Sequence, residues 1–212
     1  MSKERGPFIS FEGGEGAGKS TQIKLLDTAL KASGYATVAT REPGGSATGE
    51  ALRKIALNPP APLSPMAEAL IMFAARRDHL DAVINPARAD GSVVLTDRFA
   101  DSTEAYQCTA GGLAPTAFRK LYELSVAEDE KPNLTIILDI DPQQGLERAA
   151  ARSAADGFEA RGLDFHRAVR DGFLAIAERE PERCVVIDAA RSAEAIAADI
   201  AAVVRDRLRL AL

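Results

Sequence analysis

The sequence predicts an α/β fold of three layers, a five-stranded parallel sheet flanked by helices. Three observations predict it. Five short runs rich in Val, Ile and Leu, at residues 8–11, 36–40, 93–97, 134–140 and 184–188, lack the polar alternation of a half-exposed strand, so both faces of each are expected to be covered. Longer helical patterns separate them, and strands that alternate with helices form parallel sheets through helical crossovers. Glycine and proline mark the boundaries where such elements would end or begin. In chain order, strand 8–11 leads into helix 19–33, which Gly34 follows as a C-cap would. Strand 36–40 precedes helix 48–57 and the stiff connection "NPPAPLSP". Helix 65–88 starts near Pro65 and runs toward strand 93–97; helix 115–128 precedes strand 134–140. Helix 142–152 starts near Pro142, the polar stretch 153–162 interrupts, and helix 163–178 leads into strand 184–188. An alanine- and arginine-rich helix follows from Ala193 to the end.

Composition bounds the function. The chain has 212 residues, enough for one full domain, residues 1–212, and hardly for two cores. Apolar residues make up 46% and charged residues 27%, as in ordinary soluble proteins. The net charge of −5 argues against a nucleic-acid partner, although arginine, the better bidentate partner for phosphate, outnumbers lysine. Cys108 and Cys184 are far apart and form no CxxC pair, which fits buried thiols in a reducing compartment. No apolar run approaches the roughly 18 residues of a membrane span. With no secretory h-region either, a cytoplasmic protein is expected. His79 and His166 have no metal-ligand spacing and read as surface or packing residues.

The strongest signal follows the first strand. Gly13 to Ser20 reads GGEGAGKS and fits G-x-x-x-x-G-K-[ST] between a strand and a helix. Glycines let successive amides turn inward around an anion, and the helix N-terminus adds its positive end. Lys19 can reach the β- and γ-phosphates, and the Ser20 hydroxyl can ligate Mg²⁺. Nucleotide contacts are therefore assigned to Gly13, Gly14, Glu15, Gly16, Ala17, Gly18, Lys19, Ser20 and Thr21, on a P-loop NTPase fold. The loop alone specifies only a nucleoside triphosphate. A switch GTPase would carry a guanine-reading N-K-x-D, which this chain lacks. Glu15 is the anomaly, a carboxylate inside an anion cradle.

A second site is expected to face the loop. "VVLTDR" places Asp97 and Arg98 at the C-terminal end of a buried strand, where ligands of open α/β sheets sit. Asp97 there can hold Mg²⁺ or its water and Arg98 can meet phosphoryl oxygens, or the two can pair or cap the next segment. "TREPGGSATGEALR" brings Arg41, Glu42, Pro43 and Arg53 around a turn, with Arg53 either clamping an acceptor phosphate or lying on solvated helix. In "MFAARR", Phe73 and Arg77 are four apart on one helical face, suited to stack on a base and to bond its carbonyl edge. Phe73 as core is the competing reading. Thr103, Tyr106 and Gln107 in "DRFADSTEAYQ" add groups suited to a sugar or base.

Taken in order, "FEGGEGAGKST", "TREPGG", "MFAARR", "DRFADSTEAYQ", "LDI" and "LDFH" resemble bacterial thymidylate kinases over residues 8 to about 188. The resemblance implies transfer of the γ-phosphoryl of ATP to dTMP, giving dTDP, with Mg²⁺ as cofactor and a homodimeric assembly. Carried over by motif, Phe73 stacks on thymine and Arg77 reads its carbonyl edge, with Thr103 and Gln107 also at the base. Arg53 and Arg98 hold the monophosphate, Pro43 lies beside it after Glu42, Asp97 positions Mg²⁺, and Tyr106 lies beneath the sugar. Glu15 then faces the acceptor, accepting a hydrogen bond from its 3′-hydroxyl or from water near it.

The resemblance also implies a basic lid, because the loop holds no arginine. The candidate segment, about residues 148–162, reads "RAAARSAADGFEAR" from Arg148. Arg148 and Arg152 are one turn apart, with Arg152 the expected catalytic cation alongside Lys19, Arg98 and Asp97, and Arg148 an expected wall of the nucleotide site. One departure is visible: where the family often reads D-R-x-E, this chain has Asp156-Gly157-Phe158-Glu159, and Arg161 is the candidate to compensate. The expected mechanism is direct in-line transfer from ATP to a phosphate oxygen that is already anionic. Rival readings are a kinase for another monophosphate or deoxynucleoside, and a nucleotide-binding regulator without transfer.

Overall fold

A computed structural model describes residues 5–151, 158 and 161–212. Five parallel strands are present, β1 (Phe8–Glu12), β2 (Thr37–Arg41), β3 (Val93–Asp97), β4 (Leu134–Asp139) and β5 (Cys184–Asp188), in the order β2-β3-β1-β4-β5. The sequence reading of the sheet holds to within a residue or so at each end. β1, β3 and β4 are buried along nearly their whole length because each presents alternate residues to two covered faces. β2 and β5, at the two edges of the sheet, stay partly exposed, so the expectation of two covered faces fails for them. Ile9, Leu95 and Ile136 pack with Ile23, Leu26 and Leu30 of α1 (Lys19–Ala32) and Ile196, Ile200 and Val204 of α9 (Ala193–Leu208). Their neighbours Phe8 and Val94 pack on the other side with Leu80, Ile84 and Phe99, and Ile137 with Val169 and Phe173. Each such side chain, fully buried, contributes about 1.5–3 kcal/mol of transfer free energy.

Caps explain the helix boundaries. Gly34, at φ +88°, follows α1 in the left-handed conformation expected of it. Ser46 caps α2 (Ala47–Leu57) by accepting from the Gly49 amide at 3.0 Å, and Ser64 caps α3 (Pro65–His79), whose first position is Pro65. Asp141 accepts from the Gln143 and Gln144 amides at the start of α7 (Pro142–Ala150). The helix expected over 65–88 is subdivided: α3 passes into a π-helical turn, Leu80–Ile84, before α4 (Asn85–Ala89). Pro86 has no N–H to continue the i→i−4 ladder, and the π turn absorbs the mismatch. The helix expected over 115–128 ends earlier, as α6 (Pro115–Ser125), and a 3-10 turn follows at Glu128–Glu130. Helix α8 (Leu163–Arg179) follows the candidate lid.

One helical stretch has no counterpart in the sequence reading. α5 (Ala100–Thr103) continues as a π turn, Glu104–Thr109. Ala100, Asp101, Ser102, Thr103, Ala105, Tyr106, Gln107 and Cys108 are all buried, so the segment carries no amphipathic period to betray a helix. It lies against α8, behind the C-terminal end of β3.

Candidate active site

The site forms because β1 lies between β3 and β4. Phe11 is in register with Asp97 of β3 and with Ile136 of β4, so the loop after β1 and the turn after β3 emerge side by side at the carboxyl edge of the sheet. The loop's shape depends on glycine. Gly16 has φ +67°, and a Cβ there would meet the Gly145 carbonyl oxygen at 1.9 Å, which explains why no arginine stands at this position. Lys19 is buried and donates to the carbonyls of Gly13 and Gly14 at 3.1 and 2.9 Å. Burial and the nearby Arg98 lower its pKa, against the opposing pull of Asp97, Glu15 and Glu12. Ser20 donates to Asp97 Oδ2 at 2.8 Å, so the two candidate magnesium ligands do meet.

Opposite the loop opens a cavity of about 230 Å³. Glu15, Gly16, Ala17, Gly18, Lys19 and Ser20 form one wall; Glu42, Pro43, Arg53, Asp97, Arg98, Thr103, Tyr106 and Gln107 line the rest. Arg98 adopts φ +72°, and its guanidinium is the hub of the wall. It donates to Glu15 at 2.7 Å, the Tyr106 hydroxyl at 3.0 Å, and Ser102 and the Gly13 carbonyl at 3.1 Å each, 4.9 Å from the Tyr106 ring centroid. Tyr106 also donates to Glu15 at 2.7 Å. Burial alone would push the Glu15 carboxyl up, but Arg98, Lys19 and the Tyr106 hydroxyl outweigh it and hold it down at about 2. The carboxylate is therefore a neutralised member of the cavity wall, paired with Arg98 and Tyr106. Arg53 lines the cavity and donates to the Pro43 carbonyl at 2.9 Å, next to the cis Glu42–Pro43 peptide.

The i,i+4 pair that lines the cavity is one residue out of register with the pair expected from the sequence. Phe73 and Arg77 do not line the cavity; Met72 and Arg76, also four apart, do. Phe73 is buried against Phe118 and Tyr122, with ring centroids 5.7 and 6.5 Å away, so the core reading is correct for it. Arg77 turns outward: it makes two bonds with Glu130 at 2.8 Å, two with Asp81 at 2.6 and 3.0 Å, and one with the Ser125 carbonyl at 2.7 Å. Arg76 is 2% exposed. It bonds Glu42 at 2.8 Å through Nε, and the Phe99 carbonyl and Thr103 hydroxyl at 3.0 and 3.1 Å through Nη2. Its Nη1 is a buried donor without a partner among the described residues. Glu42 borders the cavity, but both its oxygens are engaged by Arg76 and His79.

Other expected residues lie at the periphery. Gly13 and Gly14 border a smaller cavity beneath the loop with His166 and Arg170. Thr21 is in the first turn of α1. Arg148 donates to the Ala189 carbonyl at 3.0 Å and the Ala190 carbonyl at 3.4 Å, beside the turn after β5. Arg152 and the departure at Gly157 lie outside the described residues. Arg161 does not line the cavity; it pairs with Glu68 at 2.5 Å between the rings of Phe158 and Phe165. Gln107 bonds the other Glu68 oxygen at 3.0 Å, linking that pair to the cavity wall. Sequence reasoning missed Met72, Arg76 and Ser102. "MFAARR" offers both i,i+4 pairs, and no local signal chooses between them.

A glycine-rich phosphate loop opposite an arginine-lined acceptor cavity, on this strand order, defines a P-loop phosphotransferase for a second phosphorylated substrate. A family model described as thymidylate kinase matches residues 11–200. A thymidylate kinase of Caulobacter vibrioides is 54% identical over 97% of this chain and 99% of its own. One of Bradyrhizobium is 49% identical over 96% and 92%. A crystal structure of thymidylate kinase from Ehrlichia chaffeensis superposes with a TM-score of 0.78 at 30% identity, covering 94% of this chain and 99% of that one. The chain belongs to the thymidylate kinase family. Among the described residues, no helix is long and apolar enough to cross a membrane.

Proposed function

We propose that this chain transfers the γ-phosphoryl of ATP to dTMP, giving dTDP and ADP, as a single kinase domain working with Mg²⁺ in the cytoplasm. The observation that carries the acceptor assignment is Arg76. A guanidinium has only donors. Arg76 lines the cavity, is fixed through Nε and Nη2, and keeps Nη1 as a buried donor unpaired among the described residues, which suits a base edge bearing a carbonyl and disfavours one bearing an amino group. Met72 is one turn away, and its flexible thioether suits the flat face of a base. Thr103 and Gln107 complete that end. At the other end Arg53 and Arg98 hold the acceptor phosphate, and Glu15 accepts from the sugar hydroxyl.

The donor side follows from the loop. Its inward amides and Lys19 hold the triphosphate, with Lys19 exchanging its contacts with the Gly13 and Gly14 carbonyls for phosphate oxygens. The oxygen donors of Ser20 and Asp97 fit Mg²⁺, which usually takes one or two carboxylates and completes its shell with phosphates and water; bound there, it supplies charge neutralisation on the phosphoryl oxygens. No group of three or more His, Cys, Asp or Glu side chains among the described residues offers an all-protein metal cage. The attacking acceptor oxygen is already anionic, so positioning and charge, not a general base, set the rate. Arg152 in the lid is the proposed transition-state cation, and Arg148 borders the nucleotide. An Arg152→Ala loss of kcat below about tenfold would remove it from that role.

The direct test is ADP release with dTMP against dUMP, dCMP, dGMP and AMP, with dTMP expected to lead; a stronger response to a purine monophosphate would overturn the acceptor assignment. Without acceptor, ATP turnover is expected to be weak, because an unclosed site does not complete the catalytic constellation. Homodimerisation is proposed through the α2–α3 face, where Ile55, Met66 and Leu70 are 46, 40 and 50% exposed. Light scattering should report a dimer that Leu70→Asp converts to monomer; an unchanged mass excludes this face.

A further inference from the structure

Behind the cavity wall lies a buried chain of hydrogen bonds that the reaction itself does not require. It starts at the end of β2 and ends on Arg76. The Thr40 hydroxyl bonds His79 Nε2 at 2.7 Å, His79 Nδ1 bonds Glu42 Oε1 at 3.0 Å, and Glu42 Oε2 accepts from Arg76 Nε at 2.8 Å. His79 is fully buried, and Glu42 is 5% exposed. Arg76 and His79 are three apart on α3, so one helix face grips both oxygens of a single carboxylate. Gly45 closes the chain from outside: at φ +80°, a Cβ there would meet His79 Nε2 at 2.3 Å and Thr40 Oγ1 at 2.5 Å.

We propose that His79 is a specificity-determining positioning residue: through Glu42 it sets the plane of the Arg76 guanidinium, and so makes the site choose a carbonyl over an amino group on the acceptor base. The carboxylate paired with Arg76 can only accept, which puts the His79 proton on Nδ1 and leaves Nε2 for the Thr40 hydroxyl. Histidine thus joins a fixed strand end to a carboxylate that would otherwise rotate about its own bonds. A planar donor fork discriminates only while it is held still. If Glu42 is free to turn, Arg76 can swing away from an amino group that it now repels, and the rejected base is admitted. This rests on the reading above that Arg76 faces the base edge.

The experiment compares dTMP with 5-methyl-dCMP, which keeps the methyl group and replaces the 4-carbonyl by an amino group. In the intact protein, His79→Phe removes both bonds while keeping a flat ring. It is expected to lower the ratio of kcat/KM for dTMP over 5-methyl-dCMP by about tenfold or more, since a site built around a hydrogen bond rejects the wrong partner strongly. The change should come through KM for dTMP with kcat within about threefold, because the base end is remote from the transferred group. His79→Gln, which retains one donor and one acceptor, should recover most of the discrimination, a rescue that a merely space-filling role would not show. Arg76→Ala is the control for the underlying reading. If it collapses discrimination while folded His79→Phe leaves it unchanged, the role of His79 is wrong and the reading of Arg76 stands. If Arg76→Ala changes nothing, the base-edge reading itself is wrong. Should His79→Phe not fold, Thr40→Val carries the test, and wild-type discrimination in that variant overturns the proposal.

Discussion

Glu12 ends β1 directly beneath the turn that presents Arg98, and it is fully buried. Its oxygens receive the Phe99 amide at 2.7 Å and the Ser102 hydroxyl at 2.5 Å, and Ser102 in turn receives Arg98. Burial, then the nearby Asp101, pushes its pKa from the usual 4.5 up to about 7, against the opposing pull of Ser102, Arg98 and the Phe99 amide. The fold therefore holds a proton that the unfolded chain releases. Stability falls as pH rises from about 4.5 to about 7, with no further loss from this group above that. Over the full interval the loss is about 3 kcal/mol, of which about 2 kcal/mol falls between pH 5.5 and 8.5. Glu12→Gln removes the titration. Urea unfolding of both proteins at pH 5.5, 7 and 8.5 isolates the effect, because the lost acceptor adds an offset that does not depend on pH. The variant should gain on the wild type by about 2 kcal/mol across that range. A difference that stays constant within about 0.5 kcal/mol would show that Glu12 ionises in the fold as it does in water.

Arg77→Ala should cost about 2–3 kcal/mol, because Glu130 keeps its charge and loses its partner, while KM for dTMP stays within about twofold. Arg76→Ala should instead raise that KM by about tenfold or more; thermal melts and steady-state kinetics on both would expose a wrong register if the effects were reversed. Glu130, held down at about 2 by Arg77, adds stability that is present above pH 4.5 and disappears as pH falls toward 2. Acid titration of Glu130→Gln should accordingly show a shallower loss over that interval than the wild type. Gly16→Ala places a methyl against the Gly145 carbonyl at a left-handed φ, and kcat/KM for ATP should fall by about a hundredfold or more; a wild-type value would mean that the loop does not need this backbone.

How much of the molecule was legible in the sequence follows from where each signal resides. The three inner strands were readable because burial on two faces writes a nearly unbroken apolar run into consecutive residues, and the partly exposed edge strands because short Val-containing runs stand between helical patterns. The phosphate loop was readable because backbone amides and a left-handed turn demand glycine at set spacings, whatever surrounds them. Asp97 and Arg98 were readable as cavity-lining residues, since strand ends in this architecture meet at one edge; Arg53, on α2, was legible only as one of two alternatives. The stretch 100–109 was not readable as a helix, because its buried residues include Asp101, Ser102, Thr103 and Gln107 beside apolar ones, so polarity does not mark a solvent face. Glu15 looked like a fault until Arg98 and Tyr106, more than 80 residues away in sequence, supplied its partners.

The helix of "MFAARR" marks the boundary most clearly. Its sequence determined by itself that an arginine and an apolar residue share a face one turn apart, because helical geometry alone imposes that spacing. It did not determine which pair. Rotation of α3 about its axis by one residue, about 100°, exchanges Phe73 and Arg77 for Met72 and Arg76. Tertiary structure made that choice. Phe118 and Tyr122 offer a pocket for Phe73, Glu130 captures Arg77, and Glu42 can satisfy Arg76 only on the cavity side. The energy that sets the rotation is the burial of one ring and the pairing of two carboxylates from elsewhere in the chain, which no local pattern records.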